Sequence, residues 1–264
     1  MSINRVPFVD LGRQYQSVGE EIIKKFEGIM KSGMFVLGDE LKAFEKHVAE
    51  LCQTRFAIGV ANGTDAIVLA LRALGVGAGD EVITAPNSFI ATAGAINMVG
   101  ADIKFVDVQA DLNIDPQKIE AAITEKTKAI IAIHLTGRPA AMDKINKIAK
   151  AHNLFVIEDA AQAIGAKLND VPVGALGDVA TFSLHPLKNL NVYGDGGFIT
   201  TNNEEIYRHI CMDRNHGLVD RDNSLKWGLN SRLDEIHAAA ANIKLKHFDD
   251  WTARFREIAD NYVS

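Results

Sequence analysis

The first fifty residues arrange their apolar and polar positions with the period of an α-helix. Residues 12 to 53 predict two amphipathic helices, divided at the segment SGMFVLGDE. Gly33 and Gly38 interrupt the helical pattern in that segment, and Asp39 is of a residue type that caps helices. We therefore expect the second helix to start with Asp39 as its cap.

Beyond residue 53 the pattern changes to short apolar runs that alternate with helical stretches. The runs have the length of strands and are RFAIGVA, DEVITAP, ADIKFVDV, KAIIAIH, LFVIEDA and, later, DVATFS. The helical stretches between them cover roughly 65–75, 90–99, 115–123 and 141–152. This alternation predicts an α/β fold, a three-layer sandwich in which helices cover both faces of a mainly parallel sheet.

The last part of the chain is helical in pattern. Residues 203–212 predict one helix, and residues 232–246 and 249–262 predict a helical pair rich in Ala, Lys and Asp. No internal repeat and no Pro- or Ser-rich linker divides the chain. The helical pattern continues through the final segment EIADNYVS without a Gly or Pro stop signal, so we expect more chain to follow it.

Polar and small residues follow several of the predicted strands. Ligands of a parallel sheet bind where the carboxyl ends of the strands meet. Four loops should therefore converge on one site, and they contain residues 62–64, 87–89, 159–162 and 185–188.

Composition and charge narrow the function. The formal net charge of −6 and the absence of a Lys- and Arg-rich cluster interleaved with aromatic residues argue against nucleic-acid binding and favour a small-molecule partner. The first residues lack the pattern of a secretion signal, and no apolar run is long enough to span a bilayer, so we expect a cytoplasmic protein that does not bind membranes. Cys52 and Cys211 are far apart in the sequence and have no His or Cys at ligand spacing, which predicts two buried reduced thiols and no metal site.

The segment VANGTDAIVLALRAL is a strand, a turn of small residues and an apolar-striped helix. The amides of Gly63 and Thr64 would lie at the helix N-terminus, where backbone N–H groups bind anions. Taken alone, the same residues are more typical of a plain turn and helix cap. Neither the G-x-x-x-x-G-K-[ST] pattern nor G-x-G-x-x-G occurs, so the common nucleotide loops are not supported.

Two further positions carry candidate chemistry. In FVIEDAAQ, a carboxylate ends a buried strand, which is costly unless it meets a cation or several donors. Glu158 and Asp159 point to opposite faces of a strand, so only one of them can face the site, and Asp159 could instead cap a following helix. Lys188 lies between an apolar run and a glycine cluster, where it is either a solvated loop lysine or a functional amine.

Several motifs together resemble one family. In chain order they are KSGMFVLGDELKAFE, ANGTDAIVLAL, APNSFIATAGAI, VIEDAAQAIGA, SLHPLKNLNVYGDGG, RNHG and GLNSRLDEIHAAA, within a resemblance that runs from VPFVDLGRQY to the last residue. The chain resembles the DegT/DnrJ/EryC1/StrS sugar aminotransferases, which depend on pyridoxal phosphate. The resemblance implies the aspartate-aminotransferase fold (fold type I), with residues 1–247 as N-terminal helices plus a large cofactor-binding domain. Residues 248–264 would then start a small C-terminal domain that is cut short.

The resemblance also implies roles for single residues. Lys188 matches the lysine that forms the Schiff base with the cofactor aldehyde, which requires a neutral amine. Asp159 matches the carboxylate that keeps the pyridine nitrogen protonated, so that the ring can act as an electron sink. Gln162, expected one helical step further on, matches the hydrogen-bond partner of the ring's phenolic oxygen. Lys188 and Asp159 form the expected catalytic pair.

The remaining cofactor contacts are implied in the same way. Gly63 and Thr64 would bind the phosphate through the helix N-terminus, and Ser183 would bind it through its hydroxyl. Phe89 matches the aromatic residue that stacks on the ring, although its residue type alone favours a core phenylalanine. Asn230 matches an asparagine that reaches the phosphate of the neighbouring subunit, which implies a homodimer with shared sites.

The function that this resemblance implies is transfer of an amino group from glutamate to a keto sugar carried on a nucleotide, a step of amino-sugar and polysaccharide biosynthesis. One alternative is a regulatory or binding protein that keeps the fold without turnover. Another is the sugar dehydratase branch, in which a histidine replaces the lysine, and Lys188 argues against it. His185 and His216 fit supporting or structural roles, and we place both outside the catalytic set.

Overall fold

The computed structural model describes residues 7–263. The first residues, on which the argument against a secretion signal rests, and Ser264 lie outside the described residues. Helices and strands alternate along most of the chain, as the sequence predicts.

The helices are α1 (Leu11–Ser32), α2 (Asp39–Cys52), α3 (Gly63–Ala73), α4 (Ile90–Met98), α5 (Pro116–Ile119), α6 (Met142–His152), α7 (Glu204–Asp213), α8 (Glu235–Leu245) and α9 (Phe248–Val263). The strands are β1 (Phe56–Val60), β2 (Glu81–Thr84), β3 (Asp102–Phe105), β4 (Thr127–Ile133), β5 (Phe155–Asp159), β6 (Lys167–Leu168), β7 (Val171–Pro172), β8 (Val179–Ser183) and β9 (Gly197–Thr201). Short 3₁₀ turns follow α5 and β4.

Seven strands form one mixed sheet in the order β1-β9-β8-β5-β4-β2-β3. The pairs from β8 through β5, β4 and β2 to β3 are parallel, whereas β9 runs antiparallel to both β1 and β8. The α/β prediction with a mainly parallel sheet is therefore confirmed. Strand β9 and the small β6-β7 hairpin are additional to the predicted strands.

Two large apolar clusters hold the helices against the sheet. One surrounds β2, β4 and β5 and takes in the apolar faces of α3 and α6. The other packs α2 and α8 against β1, β8 and β9, with Phe44, Phe182 and Phe198 at its centre. A smaller cluster joins α1 to α8 through Val18 and Ile22. Helices thereby cover the sheet, and loops lie at the carboxyl ends of its parallel strands.

The start of α2 differs from the expectation that Asp39 caps it. Gly38 is the N-cap residue, and it makes no side-chain cap bond. The buried carboxylate of Glu235, from the first turn of α8, instead accepts hydrogen bonds from the amides of Gly38, Glu40 and Leu41 at 2.9–3.0 Å. A Cβ at Gly38 would lie 2.6 Å from this carboxylate, so only glycine fits there.

One predicted helix is shorter in the structure than the sequence indicates. The stretch 115–123 is a single helical turn, Pro116–Ile119, followed by a 3₁₀ turn, Glu120–Ala122, rather than one helix. In the part of the chain that the structure describes, no helix combines the length and the apolar character needed to cross a membrane.

Candidate active site

The four predicted loops line one cavity of about 930 Å³ at the carboxyl end of the parallel strands. Seven of the eight predicted cofactor contacts line it: Gly63, Thr64, Phe89, Asp159, Gln162, Ser183 and Lys188. Asn230 is the one that does not. Convergence of the loops follows from the sheet, because α3 and α4 begin, and β5 and β8 end, on the same side.

Lys188 lies in the connection between β8 and β9, residues 184–196, which has no regular secondary structure. Its amide donates to the carbonyl of His185 at 2.8 Å, and its carbonyl accepts from the side chain of Asn191 at 2.9 Å. Burial lowers the pKa of the Lys188 amine, an effect that the negative charge of Asp159 opposes. A larger share of this amine is therefore neutral at a given pH than of an exposed lysine.

Asp159 is the last residue of β5, and its side chain is buried at the cavity wall. Its Oδ2 accepts the hydroxyl of Thr92 at 2.7 Å, and Oδ1 accepts the amide of Ala161 at 3.3 Å. Ser88 lies 3.2 Å from the Thr92 hydroxyl. Motif comparison missed Thr92 and Ser88, although both are in the quoted segment APNSFIATAGAI, and Thr92 is one helical turn after Ser88.

Glu158 and Asp159 face opposite sides of the sheet, as the strand period predicts. Glu158 is fully buried away from the cavity, where its carboxylate accepts amides of residues 174, 176 and 177. His134 Nε2 lies 2.9 Å from the same carboxylate, while His134 Nδ1 accepts the amide of Ala140. Because Nδ1 is an acceptor, His134 must donate from Nε2 to Glu158. This buried pair fixes the wall behind Asp159 and was not singled out by the sequence.

The N-terminus of α3 forms another wall. The side chain of Asn62 accepts the amide of Asp65 at 2.8 Å, which leaves the amides of Gly63 and Thr64 at the first two helical positions for a ligand. A Cβ at Gly63 would lie 2.9 Å from Cβ of Ser183, so the glycine allows the helix to approach this serine. The turn, cap and anion-site interpretations of this segment are compatible in one structure.

Ser183 and Gln162 each keep donors for the cavity. The hydroxyl oxygen of Ser183 accepts the amide of His185 at 3.3 Å, so its proton stays available. Gln162 Oε1 accepts the amide of Thr136 at 2.7 Å, which leaves the Gln162 NH₂ group free to donate. His185 lines the cavity beside Lys188, and its Nδ1 accepts the amide of Leu187.

The expectation of a helix after Asp159 is wrong. The amide of Ala160 still donates to Thr181 of β8, and residues 160–165 then form turns, because the amide of Ala163 donates back to Ala160 and that of Ala166 to Ala163. Gly165 then continues with a φ of +79°, in the left-handed region. Gln162 therefore reaches the cavity from a turn, and Asp159 is not a helix cap.

Phe89 is 77% exposed, at the N-cap position of α4. A core phenylalanine would be buried, so the core interpretation of Phe89 is wrong for this chain. Its ring lies at the mouth of the cavity, where a flat ligand could stack on it.

Asn230 and His216, two residues singled out in the sequence, lie away from the cavity. Asn230 is exposed and pairs with Asn215 in an isolated antiparallel bridge. His216 is exposed too, with a φ of +60°.

Cys52 is buried and its pKa is raised to about 12, mainly by that burial, whereas Cys211 is only half-buried, which corrects the expectation of two buried thiols. Among residues 7–263, no group of three or more His, Cys, Asp or Glu side chains is arranged to hold a metal ion.

The sequence matches one family model and several known proteins. The family model described as DegT/DnrJ/EryC1/StrS aminotransferase family matches residues 16–264. A pleiotropic regulatory protein of Geobacillus stearothermophilus is 49% identical over 98% of this chain and 70% of its own length. The dTDP-3-amino-3,6-dideoxy-alpha-D-galactopyranose transaminase of Aneurinibacillus thermoaerophilus is 46% identical over 98% of this chain and 71% of its own length.

A solved structure agrees with the fold along nearly the whole chain. The crystal structure of S. venezuelae DesV in complex with a ketimine intermediate superposes with a TM-score of 0.96 at 41% identity. The match covers 99% of this chain and 71% of that one. With a family match over most of its length and this likeness in three dimensions, the chain belongs to the DegT/DnrJ/EryC1/StrS aminotransferase family, whose cofactor is pyridoxal phosphate.

Proposed function

We propose that this protein transfers an amino group from glutamate to a keto sugar carried on a nucleotide, with Lys188 and Asp159 as its catalytic residues. The observation that carries the proposal is the placement of a lysine of lowered pKa and a buried carboxylate in one cavity that also contains a helix N-terminus. The cavity volume, about 930 Å³, is in the range of small-molecule sites.

The residues present fit pyridoxal phosphate at each of its chemical groups. The amides of Gly63 and Thr64 and the hydroxyl of Ser183 are suited to the phosphate. Asp159 supplies a carboxylate that is oriented by two donors and suited to a protonated ring nitrogen. The NH₂ group of Gln162 would meet the phenolic oxygen, and the ring of Phe89 would stack on the cofactor. Lys188 supplies the amine for the aldehyde.

The cofactor, when bound, supplies the electron sink that makes a proton on the substrate's α-carbon acidic. The chain's own task is then proton transfer and orientation. Lys188 Nζ, as a neutral amine, would take that proton and return it, which its lowered pKa favours. The carboxylate of Asp159, held in place by Thr92 and the amide of Ala161, would pair with the protonated ring nitrogen.

The substrate class rests on the relatives. The Aneurinibacillus relative is named a transaminase of a dTDP-linked amino sugar, and it is 46% identical to this chain. We infer a nucleotide-linked keto sugar for this protein too, and with it a role in amino-sugar biosynthesis in the cytoplasm.

The assembly we propose is a homodimer with shared sites. Asn230 is exposed and does not line the cavity of its own chain, and this supports a role for its amide in the partner's site. We further propose that residues 1–247 form the catalytic unit and that residues 248–264 start a separate small domain. Most side chains of residues 248–263 are exposed, which supports this division.

A second candidate function is regulation without turnover, because the Geobacillus relative is named a regulatory protein at 49% identity. The sugar dehydratase alternative is disfavoured because Lys188 occupies the position at which that branch has histidine.

Incubation with pyridoxal phosphate and glutamate distinguishes catalysis from binding. A transaminase converts the bound cofactor to its pyridoxamine form, which is followed by the loss of the visible absorption band. Lys188→Ala is expected to bind the cofactor without a covalent link that borohydride can fix, and to lose this conversion. A wild-type protein that binds the cofactor but leaves it unchanged by glutamate would support regulation, and unchanged conversion in Lys188→Ala would refute the assigned role. The acceptor is then identified by offering keto sugars on different nucleotides to the pyridoxamine form.

A further inference from the structure

Lys244, on α8, is a buried cation outside the lining of the cavity. Its side chain is 1% exposed, and it is among the largest fully buried residues of the protein. No carboxylate among the described residues lies within ion-pair distance of its ammonium group. A buried charge without a counter-charge is costly, and burial lowers the pKa of Lys244 to about 8. An apolar side chain would fill this buried position on α8 without that cost, so packing alone does not explain a lysine here.

The contacts of Lys244 are concentrated on one segment. Its Nζ donates to Oδ1 of Asn191 at 2.6 Å and lies 4.2 Å from the centre of the Tyr193 ring. Both partners belong to the irregular connection between β8 and β9 that contains Lys188. Lys244 therefore attaches this connection to a helix of the core.

Asn191 connects Lys244 to Lys188 through its side chain. Its Nδ2 donates to the carbonyl of Lys188 at 2.9 Å, while its Oδ1 is the acceptor for Lys244. The donor nitrogen and the acceptor oxygen of the Asn191 side chain are thus both used. The side chain cannot flip without breaking both hydrogen bonds. A continuous path of hydrogen bonds thus joins the ammonium of Lys244 to the backbone of Lys188.

We propose that Lys244 is a positioning residue for Lys188, which it holds in the cavity through the side chain of Asn191. The proposal rests on the function assigned to Lys188 above. A lysine in an irregular loop needs such support, because proton transfer requires its amine at a fixed distance from the reacting atom. Lys244 does not touch the reacting atoms, and its effect passes through the position of the loop.

The pH at which Lys188 becomes reactive tests this arrangement without any turnover. The full-length protein, freed of cofactor, is labelled with acetic anhydride over a range of pH, and modification of Lys188 is followed by peptide mass spectrometry. Exposed Lys150 in the same sample is the internal reference. In Lys244→Met the loop loosens, Lys188 meets more water, and the midpoint of its labelling rises by about half a pH unit or more.

A matched control separates positioning from a loss of charge on α8. Lys246→Met removes an exposed lysine of the same region whose partner is Glu21, and it should leave the midpoint unchanged. Asn191→Leu breaks the path at its middle and should raise the midpoint as Lys244→Met does. The double variant should show the shift of one single variant rather than the sum, because both changes break one path.

The kinetics of the amino donor give a second readout. In Lys244→Met the rate of the glutamate half-reaction should fall about fivefold or more with KM nearly unchanged, since the loss is one of position rather than of substrate binding. Thermal unfolding establishes that each variant is folded at the temperature of measurement, and Asn191→Leu decides the question if Lys244→Met does not fold. An unchanged midpoint in the folded variants, or a fully additive double variant, overturns the proposal. If the wild type transfers no amino group, the proposed function fails, and the labelling still decides whether Lys244 positions Lys188.

Discussion

The hydroxyl of Thr92 donates a hydrogen bond to the carboxylate of Asp159 at 2.7 Å, and both side chains are buried. Because Thr92 has a single proton and gives it to Asp159, Ser88 must be the donor in the 3.2 Å contact between the two hydroxyls. A directed path therefore leads from Ser88 through Thr92 to the carboxylate. It sets the orientation of the Asp159 side chain at the wall of the cavity.

Replacement of Thr92 by valine tests this path. The variant keeps the shape of the side chain but removes the donor, and a hydrogen bond to a charged group contributes about 1.5–3 kcal/mol. We expect the single-turnover rate with glutamate to fall by about tenfold or more in Thr92→Val, whereas Thr92→Ser, which keeps the hydroxyl, stays close to the wild type. Equal rates in Thr92→Val and the wild type would show that Asp159 is oriented by other contacts.

The charge of Asp159 also acts on Lys188. That negative charge raises the pKa of the amine, but burial has the larger effect, so the pKa of Lys188 is lowered overall. Asp159→Asn removes the charge, so the pKa of Lys188 should decrease and the midpoint of its labelling should move to lower pH. Asp195→Asn, at another acid of the cavity lining, is the control and should leave the midpoint unchanged. A midpoint that rises in Asp159→Asn would contradict the electrostatic coupling.

The positions of Asp159 and Lys188 were accessible from the sequence for a simple physical reason. Parallel strands all end at the same edge of the sheet, so residues that follow strands far apart in sequence meet in space. The strand period likewise separates Glu158 from Asp159. The resemblance of the motifs, in their order along the chain, to one family then gave each of these residues an expected role.

Other features depend on contacts between distant parts of the chain, and local patterns do not contain them. The cap of α2 comes from Glu235, almost two hundred residues away, so Asp39 was the natural but wrong choice. The segment after Asp159 has the composition of a helix, yet the amide of Ala160 still pairs with Thr181 of β8, and the amide of Ala163 closes a turn on the carbonyl of Ala160. Strand β9 had a usable signal, the run FITT, an aromatic followed by three β-branched residues, between paired glycines and paired asparagines.

Glu235 makes a prediction about stability. Its carboxylate accepts three amides at the start of α2, where the helix dipole also favours a negative charge. Glu235→Gln keeps the size but replaces one oxygen by a donor, and we expect the free energy of unfolding in denaturant to fall by about 1.5–3 kcal/mol. The neighbouring carboxylate of Asp234 is exposed and makes no cap bond, so Asp234→Asn serves as the matched control with a change near zero. Equal losses in the two variants would mean that general charge, not the cap, is responsible.

Asn230 makes a prediction about assembly. It is exposed, its backbone pairs with Asn215, and the cavity of its own chain lies elsewhere. If its amide completes the phosphate site of a partner subunit, Asn230→Ala should weaken cofactor affinity by about ten- to a hundredfold, the effect of one lost charge-assisted hydrogen bond. Asn215→Ala, which alters the bridge partner, separates this effect from a disturbance of the local backbone.

Subunit exchange then decides between a shared site and a site within one chain. Lys188→Ala and Asn230→Ala chains are mixed in equal amounts at limiting cofactor, and exchange is verified with a tag on one of them. In a mixed dimer with shared sites, one site combines both defects, and the other combines the intact Lys188 with the intact Asn230. Because half of the dimers are mixed and half of their sites are intact, about a quarter of wild-type activity should return, well above that of either parent. If Asn230 served its own chain, no intact site would form. Activity that stays at the level expected from the Asn230→Ala parent alone, despite verified exchange, would therefore refute the shared site.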